Sequence, residues 1–138
     1  MPCLFCRIIA GEFDAALVYS DQHCVAFLDH RPVFKGHTLL VPRQHIPTLV
    51  DVPAEELPSL MRTMQLLAGA VEAGLGADGT FVAMNNRISQ SVPHLHIHIV
   101  PRRKGDGLRG FFWPRTKYAS AEEAHEYAER IRDAIGNL

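Results

Sequence analysis

The segment from His94 to Val100 reads HLHIHIV and places a histidine at every second position. Successive side chains point to opposite faces of a β-strand, so this alternation predicts a strand with His94, His96 and His98 on one face. Neighbouring imidazoles then stand about 6.6 Å apart along the strand, from a rise of about 3.3 Å per residue. The apolar face can pack against helices, so the histidine face must meet either solvent or a site.

Four other short β-prone runs and two helical patterns accompany this strand. The runs are residues 16–20, 24–28, 37–41 and 80–84, with turn signals beside the first three. Apolar residues spaced three and four apart up to Leu75 predict a helix that starts near residues 54–58. A capping box from Ser120 to Glu123 opens a second helix. This order predicts an α+β fold with a mostly antiparallel five-stranded sheet and both helices on one side.

Composition excludes several classes of protein. The chain has 138 residues, 47% of them hydrophobic, which suits a single domain over residues 1–138. The net charge of -1 disfavours a general nucleic-acid binder. No apolar run approaches the roughly 20 residues of a membrane span, and the N-terminus lacks the pattern of a signal peptide. We therefore expect a cytoplasmic protein with neither nucleic acid nor membrane as a partner.

The cysteines suggest a metal site. An odd count of three in a reducing compartment argues against a disulfide framework. Cys3 and Cys6 form a CxxC pair, which could be a redox pair, half of a zinc site or a coincidence. A redox pair normally lies well inside the fold, so the N-terminal position disfavours that reading. Half a zinc site needs two more ligands from elsewhere in the chain.

Three interpretations of the histidine strand remain open. A surface strand that carries three histidines by chance is the weakest of them. Histidines at alternate positions could chelate zinc, although the first acidic residue downstream of His98 is Asp106. Alternatively, a neutral imidazole attacks an α-phosphate while flanking N–H groups stabilise the phosphate oxygens. His37, Gln90 and Ser91 could contribute to such a site.

Longer segments around these residues resemble the histidine triad (HIT) family. HLHIHIV resembles the signature of that family, and CLFCRIIAGE resembles the N-terminal segment of its Hint-like branch. VAFLDHRPVFKGHTLLVPRQHIPTL and QSVPHLHIHIVPR resemble the segments that follow, in the same order. Together the matches cover much of residues 3–102, and they imply the HIT fold.

The resemblance implies a role for each site residue. His96 would be the nucleophile that forms a covalent nucleotidyl intermediate, and Ser91 would assist the leaving group. Asp29 would hold the ribose hydroxyls. The other histidines of the hydrogen-bonding cluster would be His94, His98 and His37. The apolar slot for the base would comprise Leu4, Phe5, Ile8, Phe27 and Leu28. Further contacts to the nucleotide would come from Asn85, Asn86 and Gln90.

The resemblance also implies a structural zinc and a homodimer. The ligands would be Cys3, Cys6, His45 and His94, a normal closed Cys2His2 set. As a zinc ligand, His94 could not donate freely to phosphate. No catalytic cofactor is required.

Two features depart from the family pattern. The loop NNRISQSVP is shorter than usual and has Ser89 where glycine is expected, which affects the assignment of Asn85 and Asn86. Residues 102–138 form a C-terminal extension with a basic loop and a helix. The loop carries Arg102, Arg103, Lys104, Arg109, Arg115 and Lys117 against Asp106 alone. This loop is either a patch for an anionic substrate or, through residues 111–113, a dimer contact.

These features predict a nucleotide hydrolase or transferase that cleaves at the α-phosphate of a purine nucleotide derivative. The Hint-like N-terminus favours a nucleoside phosphoramidate, and the basic extension slightly favours a dinucleoside polyphosphate. The alternatives are a non-catalytic nucleotide-binding or interaction protein and a metal-dependent hydrolase.

Overall fold

The computed structural model of the chain describes residues 3–108 and 115–136. These residues divide into two compact units at Asp106 and Gly107, which are treated separately below. Arg109 and the segment 111–113, to which a dimer contact was assigned, lie outside the described residues. None of the described helices is both long enough and apolar enough to cross a membrane.

The first unit contains one antiparallel sheet. Its strands are β1 (Leu17–Ser20), β2 (Cys24–Leu28), β3 (Thr38–Pro42), β4 (Gly79–Ala83) and β5 (Ile97–Arg102), in the spatial order β1-β2-β3-β5-β4. Every neighbouring pair is antiparallel. The turn between β1 and β2 is closed by the Asp21 carboxylate, which accepts from the backbone N–H groups of His23 and Cys24. The predicted five-stranded sheet and the α+β class are confirmed.

A long helix covers one face of the sheet. Helix α2 (Leu57–Leu75) follows two 3-10 turns, Leu49–Asp51 and Ala54–Glu56, and ends where Gly76 adopts a left-handed conformation with φ 60°. Its buried apolar residues Leu60, Leu67 and Val71 pack against alternate residues of β2, β3 and β5. This packing removes one face of the sheet from water, which is the main contribution to the stability of such a layer.

The opposite face carries a helix that the sequence patterns did not indicate. Helix α1 (Leu4–Ile9) is only six residues long, and its one buried residue is Phe5. Phe5 packs with Val25, Phe27, Leu39 and Val41, which alternate with the residues under α2. A third helix, which the sequence patterns did not predict, therefore covers the face of the sheet opposite α2.

The histidine strand begins later than predicted. β5 starts at Ile97, so His94 and His96 lie in the extended segment before it. The backbone N–H of Leu95 donates to Ile46, outside the strand ladder. The alternation still holds, because Leu95, Ile97 and Ile99 are fully buried in the core under α2. Similarly, His37 lies just before β3, which starts at Thr38.

Two arginines of the predicted basic patch form hydrogen bonds with nearby residues of the first unit. Arg102 is the last residue of β5, and its guanidinium donates two hydrogen bonds to the Asp106 carboxylate, at 2.6 and 3.0 Å. The Arg103 guanidinium donates to the carbonyl of Leu75 at the end of α2. Two of the arginines counted in the basic patch therefore stabilise the end of the first unit.

The second unit contains helix α3 (Ala121–Ile135). The Ser120 hydroxyl accepts from the backbone N–H of Glu123, as the predicted capping box requires. The Glu123 carboxylate accepts from Ala119 instead of Ser120, so the reciprocal bond is displaced by one residue. The predicted start of this helix is confirmed.

Candidate active site

A cavity of about 550 Å³ opens on the α1 face of the sheet. It is bounded by α1, the segment before β1, the end of β2 and the histidine segment. Nine of the predicted site residues line it: Leu4, Phe5, Ile8, Phe27, Leu28, Asp29, Ser91, His96 and His98. The other lining residues, which the sequence patterns did not single out, are Phe13, Asp14, Ala15, Ala16, His30, Leu39 and Val92. The cavity is therefore an apolar slot with a polar floor, the usual composition of a small-molecule site.

His96 is held with one ring nitrogen available to a ligand. Its side chain is almost fully buried, and Nδ1 donates to the carbonyl oxygen of His94 at 2.8 Å. A carbonyl oxygen only accepts hydrogen bonds, so Nδ1 carries the ring proton and Nε2 keeps its lone pair in the neutral ring. The Phe5 ring packs edge-on against this imidazole, with centroids 5.0 Å apart. This tautomer is the one that an attacking imidazole needs.

His37 and His98 form a proton chain beside His96. The backbone N–H of Val33 donates to Nδ1 of His37 at 3.1 Å, so His37 carries its proton on Nε2. That nitrogen donates to Nδ1 of His98 at 2.9 Å, which leaves His98 with its own proton on Nε2. The rings of His98 and His96 have centroids 5.1 Å apart. The ring of His98, with an N–H donor at Nε2, therefore lies beside the ring of His96.

Burial lowers the pKa of both histidines of the proton chain, His37 and His98. It lowers the pKa of His98 from 6.5 to about 4, and the nearby His96 and His37 lower it further in the same direction. Burial also lowers the pKa of His37, although the carboxylate of Asp29 opposes this change. Both rings are therefore uncharged at neutral pH, as the proton chain requires.

The lowered pKa of His98 predicts acid sensitivity of the fold. Between pH 6.5 and about 4 the unfolded chain binds a proton at His98 that the folded chain excludes. The free energy of unfolding therefore falls as the pH falls through this window. We expect urea unfolding to show a smaller pH dependence for His98→Asn than for the wild type. Equal slopes for the two proteins between pH 6.5 and 4.5 would contradict this assignment.

Asp29 lies in the cavity wall just after β2. Its Oδ1 accepts from the backbone N–H of Arg31 at 2.9 Å, which fixes the carboxylate. Its Oδ2 lies 3.8 Å from Nε2 of His37, so it also faces the proton chain. A carboxylate with one oxygen fixed by the backbone can accept hydroxyl protons through the other.

Three amides of the loop before the histidine segment hold that loop together. The Gln90 side chain donates to the carbonyl of Pro47 and accepts from the N–H of Arg87. Asn86 accepts from the N–H of Leu49, and Asn85 donates to the carbonyl of Ser89. None of these three amides is among the cavity residues that the structure describes, so their contact with a nucleotide stays a prediction. Ser91 is the residue of this loop that does line the cavity.

The shortened loop has two residues in a conformation that favours glycine. Arg87 has φ 72° and Ser89 has φ 59°, both in the left-handed region. We expect Ser89→Gly to raise the free energy of unfolding by about 0.5–1 kcal/mol, since glycine has no Cβ to strain there. Chemical denaturation measures this change. The control Ala70→Gly, on an exposed position within α2, should lower the free energy of unfolding by about 1 kcal/mol. A destabilised Ser89→Gly protein would contradict the strain argument.

The four predicted metal ligands lie together. Their potential ligand atoms are all within 4.8 Å of one another. Nδ1 of His94 is 3.5 Å from the Cys3 sulfur and 3.6 Å from the Cys6 sulfur, and Nδ1 of His45 is 3.4 Å from the Cys6 sulfur. A tetrahedral zinc site with its usual bond lengths places sulfur and nitrogen about 3.6 Å apart. The four side chains therefore fit an ion of this size and geometry.

His94 serves this cluster and the catalytic one through different atoms. The ring is fully buried, and Nε2 donates to the carbonyl of Pro42 at 2.8 Å, which leaves the lone pair on Nδ1 for a metal. Both ring nitrogens are thus engaged away from the cavity. Toward the cavity, His94 contributes its backbone carbonyl, which holds His96, and not a ring N–H.

A second group with metal-ligand chemistry occurs inside the cavity. Asp29, His37 and His98 have potential ligand atoms within 4.8 Å of one another. A metal there would need the lone pair of His37 Nε2. That nitrogen carries the proton, because Nδ1 already accepts from Val33. The proton chain therefore argues against a metal ion at this group.

The fold and the site together define a class of protein. An antiparallel α+β domain presents an apolar slot that His96 and His98 also line, and the nearby His94 belongs to a Cys2His2 cluster. The HIT domain family matches residues 10–105, most of the chain. The chain therefore belongs to the HIT family.

Relatives and solved structures agree with this assignment. An uncharacterized HIT-like protein of Mycobacterium tuberculosis is 44% identical over 110 residues, covering 78% of this chain and 76% of that protein. Adenosine 5'-monophosphoramidase hnt1 of Schizosaccharomyces pombe is 30% identical, covering 98% and 99%. A crystal structure of a HIT family member from Bacillus subtilis has a TM-score of 0.85 at 34% identity and 96% coverage of both chains. A zinc-bound histidine triad protein of Mycobacterium smegmatis has a TM-score of 0.73 at 33% identity, covering 99% and 97%.

Proposed function

We propose that the protein hydrolyses purine nucleotide derivatives at the α-phosphate through a covalent nucleotidyl-histidine intermediate on His96. The observation that carries this proposal is the hydrogen bond from Nδ1 of His96 to the carbonyl of His94. This bond leaves the Nε2 lone pair for attack in a cavity whose walls suit a base and a ribose. The phosphoramidase name of the Schizosaccharomyces pombe relative supports the same chemistry.

The reaction would proceed in two displacements. In the first, Nε2 of His96 forms a bond to the α-phosphorus, and the bond from phosphorus to the leaving group breaks. The leaving group takes a proton from Ser91 or from an acid of the histidine cluster. In the second, water forms a bond to phosphorus and gives a proton back to the group that protonated the leaving group, the P–N bond breaks, and the nucleoside monophosphate departs. The N–H of His98 would stabilise charge on the phosphate oxygens in both steps.

Two substrate classes are tested directly against each other. We expect purified protein to release AMP from adenosine phosphoramidate faster than from diadenosine polyphosphates, since the slot fits one nucleoside and Arg102 and Arg103 are engaged locally. Quenching the reaction early and mapping the adduct by mass spectrometry tests the intermediate. Turnover with no adduct on His96 would refute the covalent mechanism. If neither substrate is turned over, the hydrolase proposal is refuted and the alternative of a non-catalytic nucleotide-binding protein is favoured.

The metal-dependent alternative predicts a different response to chelator. We propose that the Cys2His2 cluster holds a structural zinc, supported by its distances and by the zinc-bound relative. Catalytic zinc loss would stop turnover in a protein of unchanged stability, whereas structural zinc loss lowers the stability as well. A non-catalytic binding protein would bind AMP with no turnover under either condition. We also propose a cytoplasmic location, where thiols stay reduced.

We propose further that the chain forms a homodimer through β4 and the adjacent apolar groove. β4 is an edge strand of the sheet, so another strand can pair with it. Beside it lies a groove of about 380 Å³ that is almost entirely apolar. Its lining residues are Leu49, Leu57, Pro58, Leu60, Met61, Met64, Met84 and Ile97.

The dimer proposal predicts the effect of a charge in the groove. Met61 is 61% exposed in the single chain, so Met61→Lys places an ammonium group in the interface with little effect on the fold. We expect this variant to be a monomer in analytical ultracentrifugation at micromolar concentration. The control Leu66→Lys alters an apolar residue of the same helix outside the groove, 54% exposed, and should leave the dimer intact. A dimeric Met61→Lys protein would exclude this interface.

A further inference from the structure

We infer that the Cys2His2 cluster also positions the catalytic site: a metal ion bound there fixes helix α1 and the peptide group of His94, and through them the base slot and the attacking nitrogen of His96. This inference rests on the proposed function and extends it. It gives His94, Cys3, Cys6 and His45 a positioning role in addition to their role in stability.

The first link is His94 itself, which belongs to both clusters. Its Nδ1 faces the two cysteine sulfurs, and its carbonyl oxygen accepts the hydrogen bond from Nδ1–H of His96 that determines the tautomer of that ring. The side chain is anchored at its other end by the carbonyl of Pro42. A metal bond at Nδ1 removes the remaining freedom of the ring and its backbone. The direction of the carbonyl toward His96 then depends on metal occupancy.

The second link is helix α1, which carries two of the four proposed ligands. Cys3 is its N-cap residue, and Cys6 lies within it. A six-residue helix is far below the roughly 12–15 residues at which an isolated helix becomes marginally stable. Cys3 and Cys6 connect this helix to His94, which precedes β5, and Cys6 also contacts His45, which follows β3. The rest of its attachment is apolar packing centred on Phe5.

The third link is the position of Phe5 between the two cysteines. Its ring lies 5.0 Å from that of His96 and 5.9 Å from that of His94, and it also lines the nucleotide cavity. Leu4 and Ile8 of the same helix line the cavity as well. Release of α1 would therefore widen the base slot and remove the aromatic support of the nucleophile at the same time.

The test removes one ligand where packing is least affected. His45 is the exposed member of the cluster, so His45→Gln loses the ligand with little disturbance of the core. His45→Cys retains a ligand atom for zinc and is the matched rescue variant. His125→Gln, on an exposed position of α3, is the control outside both clusters. Each protein is loaded with zinc, and metal content, AMP affinity, turnover and imidazole ¹H–¹⁵N spectra are measured.

We expect His45→Gln to bind AMP about tenfold more weakly, the scale of losing a partner that orients a site. Its spectra should show His96 in mixed tautomers, whereas the wild type, His45→Cys and His125→Gln keep the proton on Nδ1. A role confined to stability would change the unfolding temperature and leave the tautomer of the folded protein unchanged. Cys6→Ser removes a ligand contributed by α1 instead. Measured below its unfolding temperature, it should show the same loss of AMP affinity and the same mixed tautomers at His96.

The inference is overturned if folded, zinc-depleted His45→Gln retains the wild-type affinity for AMP and a single Nδ1–H tautomer at His96. Failure of the proposed function would appear differently. In that case the wild type itself turns over neither substrate, and the spectra of His96 with and without zinc still decide whether the two clusters are coupled.

Discussion

Replacement of His96 with alanine is expected to reduce the turnover of adenosine phosphoramidate by about 10⁴-fold or more, the scale seen when a covalent nucleophile is removed. The variant has no imidazole nitrogen at position 96 from which to form the P–N bond. Phe5 is held by its packing with Val25, Phe27, Leu39 and Val41 as well as by its contact with the His96 ring, so the base slot remains. AMP should therefore bind with nearly unchanged affinity, measurable by calorimetry, while steady-state turnover disappears.

A matched variant separates loss of the nucleophile from loss of the fold. His125→Ala removes an exposed histidine of α3 and should keep full activity. Exogenous imidazole, supplied to His96→Gly, can enter the vacated space and should restore part of the turnover. Turnover by His96→Ala at the wild-type rate would exclude the covalent mechanism. Loss of AMP binding together with turnover would indicate a structural role for the ring.

Much of the site could be predicted because its residues lie on regular elements. The alternation in HLHIHIV places three apolar side chains in one core and their neighbours toward the cavity, whatever the exact start of β5. Phe27 pairs with Leu39 across β2 and β3, and both line the cavity. Leu39 could have been found by following that alternation from its predicted strand. The family resemblance supplied the roles, which alternation alone could not.

The parts that escaped prediction depend on contacts distant in sequence. Helix α1 is too short to show a period, and its position depends on Phe5 and on contacts of its cysteines with His45 and His94. The tautomers depend on the backbone N–H of Val33 and on the backbone carbonyl of His94. Every residue carries such a carbonyl and nearly every residue such an N–H, so no sequence pattern indicates which ones contact a histidine. The bonds that the side chains of Asn86 and Gln90 make to residues 47–49 likewise join segments distant in sequence, and the nucleotide contacts that the resemblance implies for these amides stay a prediction.

His98→Ala is the variant with the second largest expected effect. The proton chain from Val33 through His37 leaves an N–H at Nε2 of His98, whose ring lies beside that of His96 with centroids 5.1 Å apart. Removing one preorganised donor of this kind costs about 10²–10³-fold in kcat, because charge on the phosphate oxygens increases in the transition state. The KM should change much less, since the base and ribose contacts are untouched. Steady-state kinetics with adenosine phosphoramidate at pH 7 measures both quantities.

The donor argument is distinguished from a packing argument by a second substitution at the same position. Glutamine places an amide N–H near the position of Nε2, so His98→Gln should recover at least part of the activity that His98→Ala loses. His37→Ala leaves His98 in place but removes the bond that fixes its tautomer, so its effect on kcat should be intermediate. If His98 served only to fill space, glutamine and alanine would differ in stability but not in kcat. A donor supplied by another group in the cavity would instead leave all three variants close to the wild-type rate, and the proton chain would then have no part in stabilising the transition state.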